Sequence, residues 1–182
     1  MRKIGAEIIQ GQIVETEAYE AGDPAMHAYQ TPTKRNAVVF GPAGFVYVYR
    51  IYRQYHCFNI VTDRNGLAST ILIRAISLVQ YPSWIDPAKE KLARVAAGPG
   101  KLCRTLKIDE SLKGVKLHPD SGIWIEAPSS CRDASPSLKD AQSLETTIPA
   151  DITQTTRIGL SKGTDILWRW YLTDSPAVSR KT

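Results

Sequence analysis

The chain has 182 residues, 43% of them hydrophobic and 23% charged, with 23 lysines and arginines against 18 aspartates and glutamates. That length suits one domain with a sizeable core, and the ordinary balance of apolar and charged residues excludes a disordered or fibrous chain. The start MRKIGAEIIQ has neither a long apolar run nor a small-residue cleavage site, and no segment approaches the length of a membrane span. An intracellular, soluble protein with no membrane partner is therefore expected.

The positive charge is concentrated. Between residues 28 and 85 stand Lys34, Arg35, Arg50, Arg53, Arg64 and Arg74 against the single acid Asp63, while basic and acidic residues balance elsewhere, so this segment carries the whole formal charge of +5. Four of the eight tyrosines fall in the same segment, between Tyr47 and Tyr55. Basic residues interleaved with aromatics suit a phosphate backbone whose bases are stacked or displaced. A solvated basic surface around an aromatic core has the same composition.

In chain order, Ile8 to Ala18 reads as an extended run with Ile13, Glu15, Glu17 and Tyr19 on one side and Val14, Thr16 and Ala18 on the other. Two carboxylates two residues apart on one strand face disfavour simultaneous ionisation, and partial burial would raise one pKa further. The pair is either a general base with its neighbour or a solvated strand face. Residues 21 to 36, with Gly22, Pro24 and Pro32, read as a long loop. His27 in that loop is either a satisfied structural residue or part of a site. His27, His56 and His118 make no zinc pattern with Cys57, Cys103 and Cys131, so no metal is expected. The odd, widely spaced cysteines argue for reduced thiols, with Cys57 in the core.

After a turn at Pro42 and Gly44, the segments Phe45 to Ile51, Tyr55 to Thr62 and Ser69 to Ala75 are rich in β-branched and aromatic residues and predict strands. Asp63-Arg64-Asn65-Gly66 between the last two is a hairpin signal. Tyr47, Tyr49 and Ile51 share one strand face, and Tyr52 falls at the strand end between Arg50 and Arg53, an aromatic tip suited to a nucleic-acid groove. Asp86-Pro87 predicts a helix running to about Ala97, ended by Gly98-Pro99-Gly100. Helical spacing resumes over Lys101 to Leu106. Gly122 to Ala127 reads as a strand and residues 128 to 149 as a polar surface loop. Ile152 to Leu160 and Ile166 to Leu172 read as strands joined by Ser161-Lys162-Gly163, with Trp168, Trp170 and Tyr171 in the core and on the sheet face. The tail from Ser175 is expected to fray.

Several short motifs follow one another: G-x-I-V-E-T-E-A-Y at 11 to 19, D-P-A-x-H at 23 to 27, R-N at 35 to 36 and Y-V-Y-x-I-Y at 47 to 52. They continue with C-x-N at 57 to 59, L-I-R-A at 72 to 75, G-P-x-K-L-C at 98 to 103 and R-I-G at 157 to 159. In that succession the chain resembles the alkyladenine (3-methyladenine) DNA glycosylase family. The resemblance implies a single α+β domain with a mixed, mostly antiparallel sheet, flanking helices and a protruding hairpin that inserts into DNA. It implies a cofactor-free, monofunctional enzyme that flips alkylated or deaminated purines out of duplex DNA and hydrolyses the N-glycosidic bond, opening base excision repair. Double-stranded DNA containing damaged purines is then the partner, and a DNA-associated monomer is expected.

By the same resemblance Glu17 is the base that activates water, and Arg74 helps to hold that water. Tyr19, His27, Tyr49 and Asn59 form the base pocket, and Tyr52 is the wedge. Arg35, Arg50, Arg53 and Lys101 are the expected backbone contacts. The chain also departs from the family's pattern. Only ten residues precede Gly11, where the family has a helix and a strand, so either a truncated member or a start set too late is expected. Arg53 stands where glycine commonly follows the wedge tyrosine, and His56 where an apolar or aromatic residue is usual. The competing reading is a non-catalytic nucleic-acid binding module or an inactive truncated family member, which would bind DNA in a salt-sensitive way and release no base.

Overall fold

In the computed structural model of the protein, which describes residues 1–29, 31–64, 66–127 and 151–181, the β-rich segments assemble into one six-stranded sheet. Its strands are β3 (Gly11–Glu20), β4 (Val46–Ile51), β5 (Tyr55–Val61), β6 (Ser69–Leu78), β7 (Ile152–Thr155) and β8 (Arg169–Leu172), in the spatial order β4-β5-β6-β3-β8-β7. Every adjacent pair is antiparallel. The ten residues ahead of Gly11 form a small hairpin of β1 (Arg2–Ile4) and β2 (Glu7–Ile9), and Ile9 is buried in the main core. The α+β class and the mostly antiparallel sheet are as the family resemblance implied.

The two long strands, β3 and β6, lie at the centre; β6 is mostly apolar, whereas β3 buries Val14 beside Glu15 and Glu17. One face packs Val46, Val48, Phe58, Ile60, Ile73 and Ile76 against the short helix α2 (Pro99–Thr105), which contributes Leu102 and Cys103. A second cluster joins Val39, Tyr47 and Val61 to Met26 and Ala28 of the 21–29 segment. A third joins Val14, Ala75 and Tyr171 to Ala177 and Val178 near the C-terminus.

Several boundaries differ from expectation, each because a distant contact outcompetes a local preference. The expected helix from Asp86 to Ala97 contracts to α1 (Leu92–Val95). Asp86 caps only the turn at Ala88 and Lys89, and Ala96 and Ala97 pair with β6 instead of continuing the helix. Gly98-Pro99-Gly100 opens α2 rather than closing its predecessor, with Gly98 at φ 115° before Pro99. Gly122 to Ala127 forms only isolated bridges at Ile123, to Arg2 and His118. The expected strand to Leu160 stops at Thr155, and its partner starts at Arg169 rather than Ile166, because the intervening residues turn toward β3.

The C-terminal tail, expected to fray, is docked: Ala177 and Val178 are buried and Arg94 donates to the carbonyls of Pro176, Val178 and Ser179. The polar stretch 128–149, Cys131 and the Asn65 of the hairpin signal lie outside the described residues. Among the described residues no helix is long and apolar enough to cross a membrane.

Candidate active site

The strands place four charged side chains beneath the centre of the sheet surface. Glu17 on β3 pairs in register with Leu72 of β6 on one side and Arg169 of β8 on the other. The β3–β6 register shifts on either side of Glu15, an irregularity of the kind that re-aims a side chain. Glu15, Glu17 and Arg169 are at most 1% exposed, and Arg74 is 7% exposed. Charges at that depth persist only when paired and hydrogen-bonded.

Here they are. Arg74 spans both carboxylates, donating through Nε to Glu15 Oε1 at 3.0 Å and lying 3.1 Å from Glu17 Oε2 through Nη1. Glu17 Oε2 also accepts from the Tyr19 hydroxyl at 2.8 Å, and Glu17 Oε1 accepts from the Ile158 N–H at 2.8 Å. A carboxylate has about four acceptor positions, and among the described residues Glu17 Oε1 has a single donor. Glu15 has the larger set of donors: besides Arg74 it accepts from Arg169 Nε at 2.8 Å and from both the N–H and the hydroxyl of Ser179, at 2.7 and 2.8 Å. Burial works against its charged form, but the two Ser179 hydrogen bonds, with Arg74 and Arg169, outweigh it and hold the Glu15 carboxyl below its ordinary range.

The rise in pKa expected of one carboxylate of the pair is thus not found at Glu15, whose carboxyl is held low. They share a guanidinium, and each has its own set of donors. Burial and then the Glu17 carboxylate push the Tyr19 phenol well above its usual value, so at neutral pH it is a donor.

Tyr19 links this cluster to a cavity lined also by Met26, His27, Tyr47, Tyr49, Asn59 and Leu160. The structure therefore brings all four expected pocket residues to one place. His27 stacks on Tyr49 with ring centroids 4.4 Å apart and planes 10° from parallel, and its Nδ1 is hydrogen-bonded to the Tyr47 hydroxyl. Burial, then Arg35 and Lys113, lower the His27 pKa, which keeps the imidazole neutral at pH 7. The Asn59 amide donates to the carbonyls of Tyr47 and Cys57, both at 3.3 Å, which fixes its orientation at the cavity wall. Tyr47 is pushed up to about 12 by burial. Among the described residues no three His, Cys, Asp or Glu side chains converge as a metal site would require.

The hairpin between β4 and β5 carries Tyr52 at its tip, 81% exposed. Tyr52 and Arg53 have φ of 45° and 63°, in the left-handed region that favours glycine. Arg35 and Arg53 are exposed, as backbone contacts require. Arg50 and Lys101 are half-exposed and each faces an acid, Glu110 at 4.0 Å and Glu90 at 3.6 Å.

Sequence reasoning missed a second layer. Arg157 makes a fully buried, bidentate pair with Asp23, donates to the Ala18 carbonyl at 3.0 Å, and lies 4.6 Å from the centre of the Tyr19 ring. That pair anchors the turn presenting the Ile158 N–H to Glu17. Asp23 and Arg157 both lie inside quoted motifs, so the signal was present without its partner. Arg169 and Ser179 lie outside those motifs.

The family described as Methylpurine-DNA glycosylase (MPG) matches residues 1–176. A relative from Trichodesmium erythraeum (strain IMS101), provisionally named a 3-methyladenine DNA glycosylase, is 48% identical over 99% of this chain and 86% of its own length. Relatives from Synechococcus sp. (strain JA-3-3Ab) and from Synechococcus elongatus carry the same provisional name. They are 52% and 49% identical over 94% and 96% of this chain, and over 83% and 76% of their own lengths. With a family match over nearly its whole length and relatives this similar, the chain belongs to the methylpurine-DNA glycosylase family.

Proposed function

We propose that this protein is a monofunctional DNA glycosylase that turns an alkylated or deaminated purine out of duplex DNA into the tyrosine-lined cavity and hydrolyses its N-glycosidic bond. The observation that carries this reading is Glu17. It is a buried carboxylate held by Arg74, Tyr19 and a backbone N–H, and it is joined through Tyr19 to an aromatic cavity.

A water held against the Glu17 carboxylate gives its proton to it as its oxygen bonds to the sugar C1′. The C1′–N bond breaks and its electron pair leaves with the base. A purine alkylated on a ring nitrogen is already cationic and departs neutral, whereas a neutral base such as hypoxanthine must also take up a proton. The carboxylate stabilises the positive charge that develops on the sugar. No lysine lines the cavity or touches Glu17 among the described residues, which supports hydrolysis over Schiff-base chemistry. Extruding a base costs a few kcal/mol, and the exposed Tyr52 ring is suited to fill the vacated stack, worth about 1–3 kcal/mol.

Product analysis tests the proposal. A duplex carrying one 3-methyladenine or hypoxanthine is expected to yield the free base and an abasic site in an unbroken strand. Tight binding with no released base would instead identify a nucleic-acid binding module, and a strand broken at the abasic site would identify a lyase.

A further inference from the structure

A base acts efficiently when its partners are fixed before the substrate arrives. Arg74, the cation shared by both carboxylates, has a long side chain whose rotamer freedom must be removed. Glu15 removes it: Oε1 takes the Nε–H at 3.0 Å, and this leaves Nη1 to face Glu17 at 3.1 Å. Glu15 is in turn fixed by the C-terminal tail, which donates the Ser179 N–H to Oε2 at 2.7 Å and the Ser179 hydroxyl to Oε1 at 2.8 Å.

The tail is built to stay there. Arg94 straps it down through the carbonyls of Pro176 at 3.0 Å, Val178 at 2.6 Å and Ser179 at 3.2 Å. Lys181 donates to the Thr173 carbonyl at 2.6 Å, and Ala177 and Val178 pack against Val14 and Ala75. Beyond filling space, a strap of this kind delivers two directed hydrogen bonds to a single buried carboxylate.

We infer that Ser179 and Glu15 are positioning residues: the C-terminal tail sets the orientation of Arg74, and through it the geometry at Glu17, by way of Glu15. The inference rests on the glycosylase reading given above.

Single-turnover excision from a hypoxanthine duplex tests it. Ser179→Ala keeps the N–H and the packing and loses only the hydroxyl bond. Its maximal rate should fall about 3- to 10-fold, the kinetic worth of one hydrogen bond. The DNA concentration for half-saturation should hold at the wild-type value, and the Tm should fall only by the few degrees that one hydrogen bond is worth. Ser179→Thr should restore the rate. Arg94→Gln, which touches neither carboxylate, should lower the rate in the same direction but less. Wild-type rates in both Ser179→Ala and Arg94→Gln overturn the inference, as does a loss that tracks a fall in Tm and is not restored by Thr. A wild-type protein that releases no base overturns the glycosylase reading itself, and the positioning role with it.

Discussion

The floor around Glu17 and the tip at Tyr52 lie on the same sheet and could hardly differ more. At the floor, Glu15, Glu17, Arg74 and Arg169 are buried and cross-linked by donors from β6, β8, the 157–159 turn and the C-terminal tail. At the tip, an aromatic ring is 81% exposed on a backbone that turns through two left-handed residues. The floor has its geometry before any ligand arrives; the tip invests backbone strain in presenting a ring to solvent. On the proposed function the first region governs chemistry and the second governs entry into DNA, so substitutions should separate rate and stability from binding.

The largest effect should come from removing the cation that the two carboxylates share. Arg74→Ala leaves the buried Glu17 with no cation and Glu15 with Arg169 alone, and is expected to cost about 3–5 kcal/mol of folding stability, read from urea denaturation. A loss under 1 kcal/mol, roughly the worth of a surface ion pair, would mean that the cluster is not the rigid unit described.

Tyr52→Ala should leave that stability intact and weaken binding to a lesion-containing duplex by about 1–3 kcal/mol, measured by fluorescence anisotropy. A Tyr52→Ala protein that unfolds more readily, with unchanged DNA affinity, would reassign the ring to the fold.

Acidification should act at the site and not at the tip. His27 and Glu15 both have lowered pKa values in the fold, so the unfolded chain binds more protons as pH falls. The His27 contribution is lost from its unfolded value of about 6.5 downward, and the Glu15 contribution from about 4.3 downward, through their folded values. Glu15 contributes a slope of at most about 1.4 kcal/mol per pH unit, and the exposed His27 a shallower one because solvent screens it. Denaturation series at pH 7, 5.5 and 4 should show stability falling at each step, and His27→Gln should flatten the first. The smallest effect belongs to the tip: Arg53→Gly should relieve left-handed strain and stabilise by about 1 kcal/mol, with DNA affinity reduced by the loss of one exposed charge.

Much of the site was legible because it lies on strands whose alternation can be read locally. Glu17 and Tyr19 on β3, Tyr49 on β4, Asn59 on β5 and Arg74 on β6 were all placed by motif and period, and the sheet order brought them together. The exposed Tyr52 followed from its position between two arginines at a strand end. What stayed hidden depends on contacts that span most of the chain. The Ile158 N–H reaches Glu17 across 141 positions and Ser179 reaches Glu15 across 164. The same long reach misled the local reading at the tail, where the polar and small residues of SPAVSR look frayed until Arg94 and Glu15 are beside them. The helix expected from Asp86 failed for a related reason, since its last residues pair with β6. Glu15 shows the limit most clearly: spacing put it beside Glu17, but only the fold supplies the donors that make it a clamp for Arg74 rather than a rival base.

Because Glu17→Gln keeps the shape and most hydrogen-bonding positions of the side chain while removing its charge, single-turnover excision by that variant tests the central claim most directly. Base release should be about 10²–10⁴-fold slower than wild type, with the damaged duplex still bound. Release at the wild-type rate would contradict the assignment of Glu17 as the base.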